Sequence, residues 1–176
     1  MLDPCRRAGS CTLVHAAAIT ALVAGIAVPR SFAAETHTTQ RVMTVSVDVR
    51  KTCSISANDI NFGNYNPNAG GAQLAEALVH IHCSNGVSYE VSMDAGRGPG
   101  ATTAARKMTS GANTLGYGLY HDPGRQQVWG DTLGVDTLRG LGLGPPFDVT
   151  VYGKIEPRQS VPAGTYADVI TVRILF

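Results

Sequence analysis

From Met43 onward the chain alternates. Met43, Val45, Val47 and Val49 share one parity; Thr44, Ser46, Asp48 and Arg50 share the other. A period of two places the apolar set on one face of an extended strand. Lys51 interrupts the apolar parity, and Cys53 and Ile55 resume it. The pattern therefore predicts one long extended segment in two parts, divided near Lys51. Further short strands are expected at 78–83, 87–93, 115–120, 128–129, 147–155 and 166–176. Turn chemistry separates them, at Asn66-Pro67-Asn68, Gly70-Gly71, Ser84-Asn85-Gly86 and His121-Asp122-Pro123-Gly124. No amphipathic helix follows residue 33, so the fold class expected is all-β, a sandwich or barrel. Two stretches break the rhythm. Residues 96–113, rich in Gly, Ala and Thr, are expected to be a long loop. Residues 133–146, Gly-rich with four Leu, receive no element.

The last predicted strand has a distinctive edge. Ile170, Val172, Ile174 and Phe176 share one face, and Thr171 and Arg173 the other. The strand runs to the final residue without a turn. Its far-side partner must come from elsewhere, or its edge stays open; open edges invite intermolecular pairing.

The N-terminus has a different character. Arg6 and Arg7 precede an apolar run at 13–28, followed by Pro29 and the small-residue exit Ser31-Phe32-Ala33. These are the parts of a secretory signal peptide, expected to span 1–33 with cleavage after Ala33. The run is short for a membrane span, which needs roughly 20 residues. Cleavage leaves about 143 of the 176 residues, a suitable length for one domain. It also removes Arg6, Arg7, Arg30 and Asp3, taking the formal charge from +1 to about −1. Without a basic patch, binding to nucleic acid is not expected. Cys5 and Cys11 leave with the signal, so Cys53 and Cys83 remain as a pair bound for an oxidising compartment. A disulfide between them is expected.

The residues that bear chemistry are few. His80 and His82 lie two apart on a predicted strand and so face the same side, where both imidazoles could meet a metal. His37 and His121 are the other histidines of the mature chain, and a solvent-facing pair beside a core Ile81 is the simpler reading. No Gly-x-Ser-x-Gly surrounds a serine, and no phosphate-cradling loop joins a strand to a helix. Neither a hydrolase nor a nucleotide site is therefore expected, and no cofactor, catalytic residue or small-molecule substrate is assigned. Tyr117, Tyr120, Trp129, Tyr152 and Tyr166 are expected mostly in the core or at its corners, rather than in a sugar-binding patch.

Several segments occur in a fixed order: Phe62-Gly63-Asn64-Tyr65, Leu119-Tyr120-His121-Asp122, Trp129-Gly130-Asp131, Val151-Tyr152-Gly153-Lys154-Ile155 and Pro162-Ala163-Gly164-Thr165-Tyr166-Ala167-Asp168. With Cys53 and Cys83, this set resembles the spore coat protein U domain family, which includes the archaic, Csu-type chaperone–usher pilins of Gram-negative bacteria. The resemblance covers nearly the whole mature chain. The chain departs from it in the apolar 133–146 stretch and in Lys154, where Arg is common.

The resemblance implies an immunoglobulin-like β-sandwich lacking its final strand and completed by a donor strand. Residues 34–51 would then form an N-terminal extension and 52–176 the pilin domain. Met43, Val45, Val47 and Val49 would be the donor side chains, and Ile170, Val172, Ile174 and Phe176 the edge of the acceptor groove. The implied partners are neighbouring pilin subunits in a head-to-tail polymer, a periplasmic chaperone and an outer-membrane usher. The implied location is a surface pilus, reached through the periplasm, acting in attachment and biofilm formation. A single domain behind an extension suits a shaft or adaptor subunit. The alternation at 43–49 also suits an ordinary first strand. That reading leads to a self-complete secreted coat or matrix protein. A metal-dependent exported enzyme built on His80 and His82 is the third reading.

Overall fold

The computed structural model describes residues 37–176; the signal peptide expected at 1–33 lies outside the described residues. The described chain falls into two units that divide between Val45 and Ser46. Residues 37–45 carry no regular secondary structure and are exposed. All eight strands belong to the second unit: β1 (Cys53–Ala57), β2 (Gln73–Cys83), β3 (Ser88–Met93), β4 (Arg106–Ser110), β5 (Asn113–Tyr120), β6 (Leu138–Leu141), β7 (Phe147–Ile155) and β8 (Val172–Leu175). Every pairing is antiparallel. One sheet runs β1-β2-β7-β5-β4 and the other β6-β3-β8.

The inward parities of both sheets supply one core. Val79 and Ile81 of β2, Val91 and Met93 of β3, Leu115, Tyr117 and Leu119 of β5, and Val151 and Ile155 of β7 are all buried. They meet in one cluster with Trp129, which is wholly buried and donates its indole N–H to the Val91 carbonyl at 2.8 Å. Alternation along each strand with two inner faces in contact is the packing of an immunoglobulin-like β-sandwich. Among the described residues there is no helix.

Cys53 and Cys83 sit directly opposite each other in the β1–β2 ladder, with Cα atoms 4.1 Å apart, and are disulfide-bonded. The bond staples the first strand of the larger sheet to its neighbour. A second fixed point is Arg106, which is wholly buried. Its guanidinium donates to four main-chain carbonyls: Asp94 from Nε, Thr103 from Nη1, and Met93 and Trp129 from Nη2, at 2.7–2.9 Å. Two of those carbonyls are at the end of β3, one is in the turn at Thr103 and one is at Trp129. One rigid fork thus satisfies groups that would otherwise be buried without hydrogen bonds. Burial pulls the Arg106 pKa down, and Tyr117, Asp94, Asp131 and Asp136 counter it.

Several expectations need correction. Residues 43–49 form no strand, and Val42, Met43, Val45, Val47 and Val49 are each more than four-fifths exposed. Alternation specifies a face, but a strand also needs a ladder partner. The 96–113 stretch is not all loop, because β4 occupies Arg106–Ser110. Only Met108 gave that strand an apolar signal; its inward anchor is the charged Arg106. The 133–146 stretch holds β6, paired with β3. β2 begins at Gln73, five residues early, and residues 128–129 are not a strand. The strand predicted over 166–176 shrinks to Val172–Leu175.

Replacing both Cys53 and Cys83 by serine opens a loop of about 31 residues and should cost on the order of 3–4 kcal/mol of stability. Urea unfolding of the oxidised protein against the double variant measures this. A difference below 1 kcal/mol would mean that the bond adds little to the fold.

Candidate functional site: an open groove

β8 pairs with β3 and, among the described residues, with no other strand; β1 likewise pairs only with β2. The two sheets thus present free edges to each other on the same side of the sandwich, and β1 and β8 approach closely without a ladder between them. Toward one end they diverge, and a cleft of about 570 Å³ opens. Residues 57–62 form one wall. Tyr166, Ala167, Asp168, Ile170 and Val172 form the other, and Val79, Met93, Leu119 and Val151 of the core form the floor. A second cleft of about 560 Å³ adjoins it and shares Ile60, Asn61, Phe62, Met108 and Tyr166. Together they make a long groove with an apolar floor.

Its first wall is shaped by local packing. Ile60 and Phe62 lie directly on the backbone of Gly153 in β7, where a Cβ would meet both side chains at 2.6 Å. Phe62 also packs edge-on against Tyr117, with ring centroids 6.1 Å apart.

The second wall is held by carboxylates. Asp168 Oδ1 accepts from the Arg97 and Val169 N–H groups, both at 2.8 Å, and Oδ2 accepts from the Tyr117 hydroxyl at 2.7 Å. Burial is the main cause that pushes the Tyr117 pKa well up, and the bond to Asp168 adds to it. Gly96 has φ 81° and lies against Asp168; a Cβ there would overlap the carboxylate. Asp94 Oδ1 accepts from Gly96 N–H at 3.1 Å and Thr171 N–H at 3.0 Å. Burial works against the charged form of Asp94. Hydrogen bonds from the Thr171 side chain and backbone and from Gly96, with Arg173 nearby, outweigh it and hold this carboxyl below the usual range.

The structure places the sequence-predicted residues unevenly. Ile170 and Val172 line the groove. Ile174 packs half-buried against the core, while Phe176 follows β8 and is exposed. Met43, Val45, Val47 and Val49 are exposed. His80 and His82 do share a face of β2, but His80 is engaged: Nδ1–H donates to Asp148 at 2.6 Å, and Nε2 lies 3.2 Å from the Asn58 amide oxygen. Among the described residues, no three His, Cys, Asp or Glu side chains gather as a metal-binding group. Trp129 and Tyr117 are in the core, and Tyr120, Tyr152 and Tyr166 are half-buried. Sequence reasoning missed Asp94 and the groove-forming role of Ile60 and Phe62. Asp168 was visible as the end of the Pro162–Asp168 segment, with no role attached.

A family model described as the Spore Coat Protein U domain matches residues 39–173. Protein U of Myxococcus xanthus is 33% identical over 174 residues, which cover 90% of this chain and 97% of that protein. Among solved structures, the fold is similar to a chain of the chaperone–tip adhesion subunit pre-assembly complex from the archaic chaperone–usher Csu pili of Acinetobacter baumannii. The TM-score is 0.55 at 25% identity, over 73% of this chain and 40% of that one. The chain thus spans less than half the length of that structural relative.

Because folding lowers the Asp94 pKa, its stabilising contribution is complete above the ordinary value of about 4. It disappears as pH falls through the lower folded value. Asp94→Asn should therefore be less stable than the parent by about 1–2 kcal/mol at pH 6–7, after allowance for partial exposure. Unfolding curves collected down to pH 2 should show that gap closing below about pH 4. A gap that stays constant to pH 2 contradicts the assignment.

Proposed function

We propose, from the premise that this chain belongs to the Spore Coat Protein U domain family, that it is a structural subunit of a chaperone–usher surface fibre. Its subunits would join by donor-strand exchange. The observation that carries this reading is the groove itself: an apolar floor of Val79, Met93, Leu119 and Val151 between walls at 57–62 and 166–172, which continue β1 and β8, two strands whose outer edges have no ladder partner among the described residues. An added strand would satisfy those main-chain groups while its alternate side chains filled the floor. The extension offers such a strand in Met43, Val45, Val47 and Val49, all exposed. Each such side chain, fully buried, contributes roughly 1.5–3 kcal/mol before the cost of ordering the segment.

A contact between the extension of one copy and the groove of the next is head-to-tail and does not close, so it builds a filament. Before assembly the same groove would be occupied by a periplasmic chaperone, and an outer-membrane usher would mediate the handover. The similarity to a chaperone–subunit pre-assembly complex supports that partnership. On this reading the protein passes through the periplasm behind its 1–33 leader and acts at the cell surface in attachment and biofilm formation. Its role is mechanical, and no residue is assigned catalysis.

A second reading, a self-complete coat or matrix domain, draws support from the family's description and from the near full-length match to Protein U. Here residues 43–49 would complete the groove of their own chain.

Deletion of residues 34–50, set beside the intact chain, tests the fibre reading. The fibre reading expects a subunit that still copurifies with a periplasmic chaperone but forms no detergent-resistant ladder and no fibre in electron micrographs. Fibres of normal length from this variant would contradict it.

A further inference from the structure

Most of the groove's second wall is not strand. Of the β8 residues only Val172 lines the main cleft, and the rest of that wall comes from the lip at 166–170. The lengths make this important. From Met43 to Val49 an extended donor spans about 20 Å at the usual rise per residue, whereas β8 alone offers about 10 Å. The lip, from residue 166 to 172, adds about 20 Å to this when extended. An acceptor edge that matches the donor must therefore include the lip.

The lip's alignment has an identifiable cause. Asp94 and Thr171 stand in register with the β3–β8 ladder, and Asp94 N–H donates to the Thr171 carbonyl at 3.2 Å. The reciprocal bond of a regular ladder would run from Thr171 N–H to the Asp94 main-chain carbonyl. That carbonyl accepts from Arg106 Nε instead. The Asp94 side chain takes its place, accepting from Thr171 N–H. The carboxylate thus continues the ladder one step past the end of β3. With Thr171 turned toward β3, alternation directs the main-chain groups of Ile170 and Val172 to the open side. Asp168 fixes the next part of the lip through Arg97 N–H and the Tyr117 hydroxyl, while Ala167 is bridged to Thr109.

We infer that Asp94 and Asp168 are positioning residues for the docking strand: they hold the lip as an extension of β8, so that the acceptor edge is long enough for the whole donor. This rests on the donor-strand reading above and deepens it. Neither carboxylate needs to touch the donor's apolar side chains. Each acts through the main-chain groups it aligns.

The test crosses donor length with carboxylate. The full chain, expressed with its own leader and purified from the periplasm with any bound chaperone retained, is challenged with labelled peptide of residues 39–51. Peptides shortened by four residues from either end are run in parallel, and capture is read by fluorescence anisotropy. Asp168→Asn should capture the full peptide about tenfold less well than the parent, the scale of losing a charge-assisted hydrogen bond. One of the two shortened peptides, lacking the part that lies over the lip, should be captured equally by parent and variant. Tyr117→Phe, which removes one bond and leaves the charge, should show a smaller loss with the same length dependence. It also decides the matter should Asp168→Asn fail to fold. Equal capture of the full peptide by parent and variants overturns the inference. So does a loss of the same size for all three peptides, which marks a general structural role. A parent that captures no peptide of any length overturns the donor-strand reading and the inference with it.

Discussion

A β-strand edge presents N–H and C=O groups that need partners, and β8 has one edge paired to β3 and the other without a ladder partner among the described residues. That constraint organises the rest of the molecule. This second edge does not face bulk solvent alone; beside it lies a groove floored by Val79, Leu119 and Val151. Proteins that live as monomers blunt such edges with charge, proline or a bulge. Here the apolar parity of Ile170, Val172 and Ile174 is kept, and Arg173 lies on the other parity. An edge left apolar and accessible is suited to receive a strand, and the exposed alternation at 43–49 is suited to become one.

A sandwich with an open groove has to hold its shape beside that groove. Two features supply that rigidity in different ways. The Cys53–Cys83 bond limits the unfolded chain and fixes β1 against β2 next to the groove. Arg106 ties the end of β3, the Thr103 turn and Trp129 to one guanidinium by gathering their carbonyls. The same cation is bound by the Asp94 main-chain carbonyl, while the Asp94 side chain extends the ladder toward Thr171. The buried charge in the core and the shape of the groove lip are therefore linked through a single residue.

Much of the fold was legible because period-two alternation and turn chemistry report directly on which residues face inward. The strands at Cys53, Ile81, Val91, Leu119 and Val151 and the apolar face of the last segment follow from side-chain parity, and the disulfide from the two cysteines left after the expected leader. What escaped were features decided by partners distant in sequence. β4 was hidden because its inward residue is Arg106, whose burial depends on carbonyls 3 to 23 residues away. β6 was hidden because Gly140 and Gly142 interrupt the alternation, and its place is set by pairing with β3. The strand expected at 43–49 is absent for the converse reason: its parity is right and no ladder partner is in place. The groove itself was legible only as an unfinished edge. Its walls at Ile60, Phe62 and Asp168 are irregular backbone, on which periodicity is silent.

The central claim is that the groove between residues 57–62 and 166–172 is filled by residues 43–49 of a neighbouring copy. The most direct measurement is a cryo-electron microscopy map of the native fibre at side-chain resolution. The account predicts a strand crossing from one subunit into the next, hydrogen-bonded along the lip and β8, with alternate Val side chains on the groove floor. A map in which each subunit's groove holds its own extension, or in which subunits touch only through outer faces and leave the groove empty, would contradict it.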